Sequence, residues 1–147
     1  MRAIRGVSLL LSAALLPTAM GSQQGDRGSP SYEDTVHYIQ ERLRYSITEV
    51  DHCWFKEGFG GKIVPMSRLS PHVSWGPIDM RDSVGFREGS INCANGRECL
   101  LDFDTRKESE SSWRFTAKGD TDPAKMEKAL LHLLDLCGVR PSKPDLF

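Results

Sequence analysis

Four cysteines, Cys53, Cys93, Cys99 and Cys137, constrain this chain more than any other feature. Two of them flank Asn95-Gly96 in the stretch Ser90-Ile91-Asn92-Cys93-Ala94-Asn95-Gly96-Arg97-Glu98-Cys99-Leu100-Leu101-Asp102-Phe103. Asn-Gly between apolar-alternating runs is a hairpin signal. Ile91 and Cys93 share one strand face, and Cys99, Leu101 and Phe103 share another. An odd-numbered loop sets Cys93 opposite Cys99 and Ile91 opposite Leu101, with both apolar faces covered. A two-residue Asn95-Gly96 turn would send the two cysteines to opposite faces, because a one-residue slip inverts a strand. The expectation is therefore a hairpin over about Ser90 to Asp104, stapled by a Cys93–Cys99 disulfide. Zinc sites and redox motifs use shorter spacings than the five residues between these cysteines. Cys137 falls on the apolar stripe of a C-terminal helix. A second disulfide to Cys53 would tie that helix to the first strand, and two buried free thiols are the alternative.

The N-terminus points to an oxidising compartment, where such pairs persist. Arg2 and Arg5 form a positive n-region, Val7 to Leu16 an apolar h-region, and Ala19-Met20-Gly21 a small-residue cleavage site. The apolar run is shorter than the roughly 20 residues that span a bilayer. Residues 1–21 are therefore expected to be a signal peptide and the mature chain to be periplasmic or secreted. Formal net charge is −1 for the whole chain and becomes about −3 once Arg2 and Arg5 are removed. Neither a basic stripe nor an acidic tail is present, so nucleic acid is not an expected partner.

Residues 22–30 (SQQGDRGSP) read as a disordered spacer. Ser31 has the marks of an N-cap, and Tyr32, Val36, Ile39 and Leu43 form one helical stripe ending near Arg44. The period then changes to two. Ile47 to Lys56 reads as one strand, Lys62 to Met66 as a second, and Val73 with Trp75 as a third. Val84 and Phe86 mark a further piece before the hairpin. Asp102 to Ser111 is a charged turn, and Trp113 and Phe115 lie on the last strand. Asp122-Pro123 opens a final helix striped by Met126, Leu130, Leu133 and Cys137, and Gly138 closes it. A single domain is expected over residues 31–138, with a tail over 139–147. The fold class is α+β: an N-terminal helix, a curved antiparallel sheet of about six or seven short strands, and a C-terminal amphipathic helix packed on the sheet.

The signal segment, the Cys93, Asn95, Gly96, Cys99 hairpin, the late aromatic strand and the terminal helix Ala129 to Gly138 together resemble small exported bacterial proteins with PH-like or similar α+β folds. The resemblance covers about Ser31 to Phe147. It implies a fold and a compartment, and brings no catalytic residue with it.

Motifs for chemistry are sparse. His37, His52, His72 and His132 lack metal-pair spacing, and no Gly-x-Ser-x-Gly elbow or phosphate loop occurs. Asp102, Asp104, Glu108 and Glu110 suggest a calcium loop, but Arg106 and Lys107 stand where an oxygen ligand and glycine belong. Trp54, Trp75 and Trp113 either fill the core or line a groove. The reading assigns no catalytic, cofactor-binding or metal residues and no cofactor. It expects a non-catalytic exported module with a binding or structural role, whose partner is a protein, a peptide or an envelope ligand. The alternatives are a small hydrolase with a triad built on a residue such as His52 or His72, and a secreted inhibitor or effector.

Overall fold

A computed structural model of the chain describes residues 28–79 and 85–140. The expected signal peptide, most of the spacer, Val84 and residues 141–147 of the tail lie outside the described residues. The architecture is α+β, with helices packed on antiparallel sheet.

Helix α1 covers Tyr32–Arg42, capped by the Ser31 hydroxyl on the Asp34 N–H at 3.1 Å. Its stripe buries Val36 and Ile39, and Leu43 follows just beyond it. The strands are β1 (Ile47–Asp51), β2 (Trp54–Glu57), β3 (Lys62–Pro65), β4 (Leu69–Asp79), β5 (Phe86–Cys93), β6 (Leu100–Asp102), β7 (Glu108–Glu110) and β8 (Ser112–Lys118). Helix α2 spans Pro123–Leu136 and packs against α1 and β4. The Asp122 carboxylate caps its start. Gly138, at φ +87°, ends it with Gly138 N–H on Asp135 O and Val139 N–H on Leu134 O, both at 2.9 Å. This is a Schellman closure, and only glycine takes that left-handed position without strain.

The strands divide into two sheets, ordered β1-β2-β3-β6-β7 and β4-β5-β8. The shared core lies among the sheets and helices, with Trp113, Phe55, Met66, Leu69, Ile91, Leu100 and Leu130, Leu133 and Leu134 of α2 all but fully buried.

Two expectations about the strands are corrected. Ile47 to Lys56 is a hairpin of β1 and β2, not one strand. Asp51 pairs with Trp54, and Cys53 turns the chain at φ +63°. Asp51 Oδ1 accepts the His52 N–H at 2.8 Å, so an aspartate stabilises a turn that carries neither glycine nor proline.

The stretch Ser90 to Asp104 is the second correction. It is a corner between sheets rather than a hairpin. Ile91 pairs with Val73 and Trp113, while Leu101 pairs with Ile63 and Glu108. Each half of the stretch found a long-range apolar partner, and those pairings bury more surface than two short strands folded on each other. The phase also differs from the expected one: Leu100, next to the buried Cys99, is fully buried and Leu101 is not.

Both disulfides are present, Cys93–Cys99 and Cys53–Cys137. The first staples one sheet to the other at the corner. The second fixes the end of α2 to the β1–β2 turn.

Candidate functional site

A cavity of about 490 Å³ opens between the two sheets below the segment that joins α1 to β1. The chain leaves α1 through Leu43 and Arg44, which are held on β8 by the Leu43–Ala117 bridge and by Arg44 N–H on Thr116 O at 2.7 Å. That detour separates β1 from β8 and leaves the cleft between them.

Glu57, the last residue of β2, lies in this cleft. It shares the face of the buried Phe55, two residues earlier, so its carboxyl is carried inward. Trp113, fully buried on β8, donates its indole N–H to Glu57 Oε1 at 2.9 Å. The bond crosses from one sheet to the other. Burial pushes the Glu57 carboxyl from its ordinary 4.5 up to about 7; the Trp113 N–H opposes this, Glu110 adds to it, and Lys62 weakly opposes it. Lys62 is engaged by Glu110 at 3.4 Å and by the Ser109 hydroxyl at 3.0 Å. The rim carries Tyr45 and Phe59, stacked with centroids 5.1 Å apart and 45% and 71% exposed. Arg44 lies over the Phe86 ring at 4.6 Å. The cleft thus combines a carboxyl that exchanges its proton near neutrality, an aromatic platform and a set of charges around its mouth.

Of the residues singled out from the sequence, the structure brings Trp113 and Glu110 to this site. The four cysteines are all in disulfides and do not line it. Trp75 packs edge-on against Phe115 and reaches Glu127 at 3.3 Å, and Trp54 lies under Arg68 at 5.5 Å. The histidines are dispersed. His37 approaches Glu41 on α1, His52 lies against Tyr32 and near Glu49, His72 is exposed on β4, and His132 bonds Pro30 O. Among the described residues, no hydrogen bond joins a serine to a histidine. Asp102 caps its own turn, accepting the Thr105 N–H at 2.9 Å, the Thr105 hydroxyl at 3.1 Å and the Asp104 N–H at 3.1 Å. These bonds, those of Thr105 foremost, lower its carboxyl below the ordinary range.

Glu57, Tyr45 and Phe59 were not singled out from the sequence. The available signal was an acid on the apolar phase of Trp54-Phe55-Lys56-Glu57. Reading that run as the tail of one long strand hid it, because the phase belongs to β2 and not to β1.

No protein-family model matches the chain, and neither does any curated protein or solved structure.

Proposed function

We propose that the chain is an exported, disulfide-stabilised binding module whose ligand occupies the cleft around Glu57. The observation that carries this reading is the cleft itself, in which a half-buried carboxyl faces an exposed aromatic pair across a cavity of small-ligand or side-chain size. Export is supported by the signal-like composition of residues 1–21 and by two disulfides, which persist in oxidising compartments. Among the described residues no helix is long and apolar enough to cross a membrane. The test is an NMR ligand screen on the oxidised chain. Ligands are expected to shift the signals of Tyr45, Glu57 and Phe59, and Phe59→Ala to weaken them. Hits that map elsewhere refute the cleft as the site.

A catalytic reading has one specific observation in its favour. A carboxyl with a pKa of about 7, beside Glu110 with its lysine partner, has the protonation needed for a general acid. On that reading the chain is a small hydrolase acting through Glu57 rather than through a histidine triad. Turnover of chromogenic glycosides or esters that vanishes in Glu57→Gln would support it, and the absence of turnover in the wild type would refute it.

A further inference from the structure

The backbone of β8 borders the same cleft, and its phase follows from two contacts. β8 pairs with β5 without a bulge from Phe86↔Lys118 to Asn92↔Ser112. In an antiparallel ladder the N–H and C=O of one residue point to the same side, and the side alternates along the strand. Cys93 N–H donates across the ladder to Ser111 O at 2.8 Å, so odd-numbered residues here turn towards β5. Arg44 N–H donates from the opposite side to Thr116 O, so even-numbered residues turn away. The main-chain groups of Ser112 and Arg114 therefore point away from β5. Among the described residues no strand pairs with that side, since β8 is an edge of its sheet and the Leu43–Ala117 bridge stops short of Arg114.

Among the described residues, the cleft is thus a strand position that no strand occupies. One end of it is already filled by the extended Leu43-Arg44 segment, which runs antiparallel to β8. The side-chain chemistry of the position is also defined. Glu57 Oε1 is held by Trp113, and among the described residues Oε2 accepts no hydrogen bond. Lys62 is committed to Glu110 and Ser109 and acts on the Glu57 carboxyl only weakly, and among the described residues no ion pair engages that carboxyl. Tyr45 and Phe59 at the rim offer flat apolar surface for an alkyl stem that ends in a positive group.

We infer that the cleft binds an extended peptide segment of another protein, which adds to β8 as a strand through Ser112 and Arg114 and sets a basic side chain on Glu57. This deepens the binding reading and rests on it. Main-chain pairing provides affinity, and the Glu57 subsite provides selection.

The test uses the oxidised full chain, ¹⁵N-labelled, and a pool of capped, proline-free eight-residue peptides with a fixed central lysine. Binding is expected to protect the Ser112 and Arg114 amides from exchange. Replacing the lysine by norleucine is expected to weaken binding about tenfold, and so is Glu57→Gln. Arg114→Pro removes an outward N–H, which an edge strand tolerates, together with the exposed side chain that the control Arg114→Ala removes alone. Against that control, the proline variant is expected to leave the thermal midpoint in place and to weaken peptide binding about tenfold. Peptides N-methylated on the amides that face β8 are expected not to bind. Peptide binding that is indifferent to both Arg114→Pro and N-methylation overturns strand addition. Should the pool fail to bind while tyramine still shifts Tyr45, Glu57 and Phe59, the peptide inference falls and the binding module stands. Should neither shift them, both fall.

Discussion

Cys93 ends β5 in the three-stranded sheet, and Cys99 stands one residue before β6 in the five-stranded sheet, with their Cα atoms 5.9 Å apart. A disulfide that closes a short sequence separation of 6 therefore joins the two layers of the fold. Its effect on chain entropy is modest, because the loop it closes is small. The Cys53–Cys137 bond spans a separation of 84 and constrains the unfolded chain far more. Cys93→Ala with Cys99→Ala is expected to cost about 2 kcal/mol, and Cys53→Ala with Cys137→Ala about 4 kcal/mol. Urea unfolding of the two double variants checks the order; equal losses would contradict it.

Gly89 on β5 pairs with Phe115 on β8, and the phenyl ring lies over the glycine. A Cβ at Gly89 would meet Phe115 Cζ at 2.3 Å and Cε2 at 2.5 Å. Phe115 is itself buried and wedged against Trp113 and Trp75. Gly89→Ala is expected to destabilise the protein by about 1–3 kcal/mol through overpacking. Adding Phe115→Leu should recover part of that loss. A double variant no more stable than the sum of the single changes would show that the ring contact is not the cause.

The raised pKa of Glu57 makes stability depend on pH. The folded state prefers the protonated carboxyl, with a folded pKa of about 7 against an ordinary 4.5. The contribution is fully present below about pH 4.5 and is lost as pH rises through 7. After discounting for its partial exposure, the loss is on the order of 1–2 kcal/mol. Glu57→Gln keeps the neutral form at every pH and an oxygen for Trp113. The difference in unfolding free energy between wild type and variant should therefore move in favour of the variant from pH 5 to pH 8. A flat difference would place the carboxyl in solvent.

Trp113 holds Glu57 by its only polar atom. Trp113→Phe removes a hydrogen bond that stabilises the ionised carboxylate, so the Glu57 pKa is expected to rise above that of the wild type. Stability should fall by about 2 kcal/mol from the lost bond and the smaller ring. A carboxyl ¹³C titration of Glu57 reads the first effect, and denaturant unfolding reads the second. A lowered pKa would reverse the assigned role of the indole.

Peptide recognition through the same carboxyl implies a pH dependence of opposite direction. A basic side chain requires the ionised form, which is populated above about pH 7. Affinity for the lysine peptides should increase from pH 6 to pH 8, and affinity for the norleucine peptides should not, as calorimetry at the two pH values would show.

Local chemistry was legible in the chain by itself. Ser31 and Asp122 with Pro123 announce both helices, Gly138 announces the end of the second, and the stripes of Val36 and Ile39 and of Met126, Leu130 and Leu133 name the faces that are buried. These follow from capping groups and a 3.6-residue period, which act within a few residues. The cysteine pairs of the structure are the ones the sequence favours, but the hairpin register that suggests Cys93–Cys99 is not the one the fold adopts. Strand pairing was decided only by the tertiary structure. Asn95-Gly96 is compatible with a hairpin, yet Ile91 lies against Trp113 and Leu101 against Ile63, choices that depend on apolar partners far away in sequence. The cleft belongs to the same category. Glu57, Tyr45 and the outward edge of β8 come to border one cavity only where Leu43 and Arg44 hold β1 away from β8, and no local pattern encodes such a gap between strands.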